Sequence, residues 1–267
     1  MTMLARDTIG DALRNWRQRR RLSQLDLALE TGVSARHISF IENGRSLPSR
    51  GMLLRLAESL ALPLRERNRL LLAAGFAPHF PERPLDAPDM EPAMTAVRAV
   101  LAAFEPYPAL AVDRHWTLVE ANQALSSLMA GVASYLLEPP VNVLRLSLAP
   151  DGLAPMILNL EEWRHHVLER LRRDAATFGD PALERLRDEL TRLAPAASPS
   201  GTAPQVSVDA RVAVPLVLRH PVTGQRLSFL STTTIFGTAN DVSLAELTLE
   251  GFLPADEETR EALAAVA

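Results

Sequence analysis

The sequence predicts an α+β chain: an all-α head of five short helices, then a larger body that combines an antiparallel sheet with helices. Three observations carry that reading. Apolar residues recur at helical spacing through residues 9–75. Strand-like runs at Ala109–Asp113, Trp116–Glu120, Arg211–Arg219, Gln225–Phe236 and Ala245–Phe252 enclose segments of helical period. Between the two regions lies Ala77–Pro92, APHFPERPLDAPDMEP, with five prolines in sixteen residues. Proline fixes φ and removes a donor, so this stretch predicts a semi-rigid, extended linker. The expected domains are therefore 1–76 and 93–267, joined by 77–92.

A length of 267 residues suits two domains better than one. Hydrophobic residues at 47% and charged residues at 22% indicate a globular chain. The absence of cysteine excludes a disulfide framework, thiolate metal sites and a cysteine nucleophile. The net charge of -4 hides an asymmetry. Residues 1–78 carry 13 arginines against 7 acidic side chains, a net of +6, whereas residues 79–267 carry 15 against 25, a net of -10. The head, not the whole chain, has the charge to approach a polyanion. No apolar run is long enough for a membrane span and no signal-peptide core opens the sequence. A soluble, cytoplasmic protein without a membrane partner is expected.

In the head, Ile9, Leu13 and Trp16 lie on one face of a first helix that runs into the cluster Arg17, Arg19, Arg20, Arg21. Ser23 is a good N-cap for a second helix through Thr31, expected to bury Leu25, Ala28 and Leu29, with Gly32 ending it in the left-handed conformation. Ser34 caps a third helix with Ile38 and Ile41 inward, stopped at Asn43-Gly44. A fourth helix spans about Ser49–Leu60, and Pro63 opens a fifth that Gly75 closes.

Ser23–Gly44 has the helix-turn-helix pattern, two short helices about a tight turn at Gly32. Gln24, at the N-terminus of the first motif helix, is placed to grip a phosphate together with free backbone N–H groups. On the second helix, Ser34, Ala35, Arg36, His37, Ser39 and Phe40 fall on or beside the face opposite the apolar stripe, the face that enters a major groove. Arg36 leads the base readers, because a guanidinium pairs at two points with a guanine edge. Asn43, Arg45 and Arg50 follow the helix and suit contacts around the phosphates. Glu42 is expected to face Arg14 or Arg17. From Ile9 to Gly75 the chain resembles the Xre-type (phage repressor-like) helix-turn-helix family. The resemblance implies double-stranded operator DNA as partner and a homodimer.

In the body, Asn122 caps a helix towards Ala130, and Asn159 with Glu162 begins one striped by Leu160, Trp163, Val167 and Leu171. Asp180-Pro181 opens another striped by Leu183, Leu186, Leu190 and Leu193. A loop is expected at Ala194–Gln205. Two strands, several helices and three strands follow the order of a PAS fold, whose sheet and helices enclose an apolar interior suited to a small ligand. Asn142–Pro155 (NVLRLSLAPDGLAP), the Trp163 helix ending in ERLRR, and Ser231–Asp256 resemble the ligand-binding domain of MmyB-like transcription regulators. That resemblance covers nearly the whole chain outside the linker. It implies a regulator whose PAS-like domain holds a fatty-acid-like or other hydrophobic effector.

From the matching stretches, Asn142, Arg145, Trp163 and His166 are the candidate polar anchors. Arg145 would meet a ligand carboxylate or pair with a neighbouring acid, and Trp163 would serve as core or ligand wall. His165 and His166 are adjacent and lack the i, i+4 spacing of a shared metal site. No hydrolase, zincin, dinucleotide or P-loop signature occurs, so an enzyme is not expected and no cofactor is implied. The alternative reading is an autoregulatory, antitoxin-like protein whose body binds a protein partner in place of a small molecule.

Overall fold

The computed structural model describes residues 8–193 and 214–264. The head is five helices: α1 (Ile9–Arg19), α2 (Gln24–Thr31), α3 (Ala35–Glu42), α4 (Arg50–Ser59) and α5 (Leu64–Ala73). Thr8, Ser23, Ser34 and Ser49 cap the first four by accepting the backbone N–H three residues on, and Ser23 forms a reciprocal capping box with Asp26. Gly32 ends α2 at φ +68°. Leu13, Leu27, Ile38, Ile41, Leu53, Leu56 and Leu60 are fully buried and form the head's core. Gly10 lets α1 approach the end of α3, since a Cβ there would lie 2.6 Å from the Glu42 carbonyl oxygen.

One helix face differs from the expectation. Leu25 and Leu29 are exposed, at 60% and 76%, and Leu27 is buried in their place. Over eight residues the apolar period fits either stripe. A side-chain hydrogen bond from Gln24 turns Gln24, Leu27, Ala28 and Thr31 inward, and the leucine pair faces out.

The proline-rich stretch is not one uniform extended linker. Asn68 of α5 accepts the backbone N–H groups of His79 and Phe80 and donates to the Phe80 carbonyl, which ties the start of the stretch to the head. Its end is helical: a 3-10 turn at Pro88–Met90 leads into α6 (Glu91–Ala103), with Pro92 in the first turn. Proline is compatible with that position because the N–H it lacks has no helical partner there. The chain accordingly divides after Arg83, and Ala239–Val242 belong with the first unit. There Val242 N–H donates to the Pro81 carbonyl and Arg83 pairs with Asp241 at 2.9 Å.

The second unit continues with β1 (Ala109–Val112), β2 (Leu118–Ala121), α7 (Gln123–Ser127), α8 (Val143–Leu148), α9 (Leu160–Phe178), α10 (Pro181–Arg192), β3 (Leu216–Arg219) and β4 (Arg226–Ile235). A helical turn α11 (Val242–Ala245), strand β5 (Thr248–Pro254) and α12 (Glu257–Ala264) complete the described chain. The five strands form one sheet in the order β2-β1-β5-β4-β3, every neighbouring pair antiparallel. At β1 both faces are covered. Ala109 and Ala111 pack with Met94, Val97 and Leu101 of α6, while Leu110 and Val112 face the larger core with α8, α9 and α10. Hence β1 is buried at every position, and strict in-out alternation is missing from its sequence.

Several element ends moved. The helix capped by Asn122 stops at Ser127 rather than Ala130, and β5 begins at Thr248 because Val242–Ala245 coil into a helical turn. Asn159 does not cap α9. It accepts Val217 N–H and donates to the Pro215 carbonyl, pinning the helix start to β3. The loop expected at 194–205 and the first part of the strand expected at 211–219 lie outside the described residues.

Candidate functional site

The outer face of α3 carries the DNA-contact candidates on a rigid base. Ser34 is exposed and caps the helix by accepting His37 N–H at 3.2 Å. Ala35, His37, Ser39 and Phe40 are partly exposed, and Arg36 is exposed. The Arg36 guanidinium lies 5.3 Å from the Phe40 ring centroid, a cation–π contact one helical turn away that prepositions it. Asn43 donates to the Ser39 carbonyl at 2.8 Å and accepts from Arg14 at 2.8 Å, which makes it a brace for the helix end. Arg45 is exposed, and Arg50 lies 3.0 Å from His79 Nδ1.

Glu42 fixes that face. Its side chain is fully buried and accepts from Arg17 Nε at 2.7 Å and Nη2 at 2.9 Å, a two-point pair. Arg14 approaches it at 3.5 Å, and Gln24 Nε2 donates to it at 2.8 Å. Gln24 therefore spends its amide on Glu42, inside the head, instead of presenting it to a phosphate. Burial acts to raise the Glu42 pKa, but the hydrogen bonds from Arg17 and Gln24 and the Arg17 charge outweigh it and hold the carboxyl below the usual glutamate range.

The second unit holds a cavity of about 230 Å³ between the sheet and α8, α9 and the segment around α7. At about 10–15 Å³ for each water it has room for a small organic molecule. Leu110, Leu125, Leu144, Val167, Leu218 and Phe229 are among its apolar walls. Polar groups converge on one side. Arg170 of α9 pairs with both oxygens of Glu250 on β5, one contact being 3.0 Å, and its guanidinium lies 4.6 Å from the Trp116 ring centroid. Thr233 of β4 donates to Glu250 at 3.0 Å. Trp116 has φ +65°, a strained conformation for a bulky residue, held by the Asp113 turn around it.

Of the four anchors read from sequence, two reach the cavity. Trp163 lines it, is buried, and donates its indole N–H to Ser147 at 3.0 Å. His166 lines it and stacks on Trp163, with centroids 5.3 Å apart. Burial, then the charges of Arg170 and Arg173, hold His166 below the usual histidine range. The other two do not reach it, and Arg145 takes the acid pairing that was its alternative. Arg145 forms a two-point pair with Glu189 on the surface, away from the cavity lining. Asn142 caps α8 and donates to the His115 carbonyl, a structural role.

Sequence reasoning missed Trp116, Arg170 and Glu250. A signal existed for Arg170: Trp163, His166, Val167, Arg170 and Asp174 follow one another along one side of α9 at helical spacing. Among the described residues no group of three or more His, Asp or Glu side chains forms a metal site. No helix among them is long and apolar enough to cross a membrane.

A family model described as the MmyB-like transcription regulator ligand binding domain matches residues 93–266, most of the chain. The chain belongs to the MmyB-like transcription regulator family. A helix-turn-helix model matches residues 13–67 of this MmyB-like protein. HTH-type transcriptional regulators of Mycobacterium bovis and Mycobacterium tuberculosis are each 37% identical to it over 71 residues, 27% of this chain and 28% of theirs. It thus spans little more than a quarter of those curated relatives. Among solved structures, an HTH_3 family transcriptional regulator from Vibrio cholerae is 30% identical across 25% of this chain and 36% of its own, with a TM-score of 0.22. An RNA-binding light-oxygen-voltage receptor is 15% identical across 97% of this chain and 63% of its own, with a TM-score of 0.29.

The Glu42 cluster gives the MmyB-like head a pH signature. A carboxyl whose folded pKa is depressed stabilises fully above its unfolded value, near the ordinary 4.5, and loses that contribution as pH falls through the folded value. Glu42→Gln leaves the buried Arg17 charge uncompensated and should cost about 3 kcal/mol at neutral pH. Urea titrations followed by circular dichroism should show that loss, together with a flatter acid limb than the wild type.

Proposed function

We propose that this protein is a sequence-specific DNA-binding transcriptional regulator, with operator DNA read by α3 and a small hydrophobic effector held in the cavity of the second unit. The observation that carries the first part is the α3 face. Arg36, His37, Ser39 and Phe40 stand clear of the core on a helix locked from behind by Glu42, Arg17 and Gln24. The mainly apolar cavity and the MmyB-like family match support the second part. The strand order β2-β1-β5-β4-β3 supports a PAS-like sensor. The effector is fatty-acid-like in its apolar body, given the leucine-rich walls. A homodimer would set two α3 helices in successive major grooves about 34–36 Å apart.

Arg36→Ala should weaken specific binding by about 1–3 kcal/mol and relax preference at one base position. Binding-site selection from random DNA checks this, and an unchanged base preference removes Arg36 from the readers. Arg50→Ala should weaken binding to all sequences alike and lower the salt slope by about 1. Native mass spectrometry of freshly purified protein separates the effector reading from its alternative. A co-purifying lipid-sized mass supports a sensor, and a stoichiometric second protein supports an antitoxin-like role.

A further inference from the structure

The polar side of the cavity has its charges already matched. Arg170 is the one cation in the lining among the described residues, and Glu250 is the one acid. They face each other in a two-point pair, with the Glu250 side chain 4% exposed. Arg170 is held from a second direction by the Trp116 ring and from a third by Thr233. Glu250 sits in β5, hydrogen-bonded as a strand on both sides by β1 and β4, so its backbone cannot carry the carboxylate out to water. Asp174, half-buried near Arg170, places a second carboxyl on the same side of α9. Arg173 and His165 are the other titratable groups near His166, and both are exposed to screening solvent.

A ligand carboxylate seated on the Nη1 and Nη2 edge of Arg170 would have to displace Glu250, which would leave a buried carboxylate without a counter-ion. A hydroxyl or carbonyl meets no such obstacle. The His166 ring forms no hydrogen bond with another described residue, and a neutral imidazole offers one donor and one acceptor. It is held in place by stacking on Trp163 at the cavity wall.

We infer that the cavity takes a ligand whose polar end is uncharged, an alcohol, ester or amide set against His166, and that the Arg170–Glu250 pair excludes free carboxylates. This rests on the reading of the second unit as a sensor for a small hydrophobic molecule. Glu250 thereby acts as a specificity residue, a fixed negative charge at the place where an acid would dock.

The test uses the full-length protein loaded with the uncharged fluorophore N-phenyl-1-naphthylamine and displaced by decanol, decanamide, methyl decanoate or decanoic acid, at a pH well above the acid's pKa. The uncharged ligands should displace the probe at concentrations roughly tenfold or more below the acid. In Glu250→Gln, where Arg170 loses its internal partner, the acid should gain most and the order should narrow or reverse. Equal or better displacement by the acid in the wild type overturns the inference, whether or not the variant folds, while leaving the sensor reading intact. Displacement by none of the four, or no uptake of the probe, overturns both.

Discussion

A single buried carboxylate, Glu42, joins three of the five helices of the head. It sits at the end of α3 and receives hydrogen bonds from Arg17 of α1 and Gln24 of α2. A buried charge is tolerated only when its partners replace the lost water, so these side chains fix where the three helices lie. The rotation of α2 follows from the Gln24 bond, and so does the exposure of Leu25 and Leu29. The close approach at Gly10 follows from α1 meeting the end of α3. The outer face of α3 is then presented on a base that cannot slide. The same pair turns Arg17 inward, and Arg20 donates to the Leu60 and Ala61 carbonyls. Arg17 and Glu42 cancel, so the net of +6 counted for the head is carried by its other twelve arginines against six acidic side chains.

The second unit repeats the device in a different setting. Arg170 and Glu250 connect α9 to the middle of the sheet, as Arg17 and Glu42 connect α1 to α3. In the head the pair closes a core. In the second unit it borders open space, a volume that no side chain fills, with Trp116, Trp163 and Phe229 among its lining. The strain at Trp116 is kept by Asp113, whose carboxylate accepts the backbone N–H groups of His115 and Thr117. That turn aims the indole at the guanidinium. Charge matching and strain are thus spent on one side of the cavity, where a ligand would be read.

Much of the fold was legible because local chemistry agreed with it. The caps Ser23, Ser34, Asn122 and Asp180, the Gly32 turn and the leucine stripe of α10 all act within a few residues of chain. What was not legible depended on partners far along the chain. Gln24 reads as a phosphate ligand until Glu42, eighteen residues on, claims it. Asn159 reads as a cap until Val217 and Pro215 arrive beside it. Arg170 stands in the ERLRR stretch with two other arginines, and its pairing with Glu250, eighty residues away, brings it to the cavity. Arg145 shows the converse, a motif residue that a surface partner, Glu189, accounts for. The proline-rich stretch misled through composition, since two of its prolines lie in the first turns of helical segments.

The central claim is that a ligand in the cavity and DNA on α3 are read by one molecule. It is tested most directly by the affinity of the full-length protein for its selected DNA site, measured at fixed salt after delipidation, with and without saturating decanol. Thermodynamic coupling between the two sites predicts a change of roughly fivefold or more. Identical affinities, with decanol shown to be bound, would contradict it.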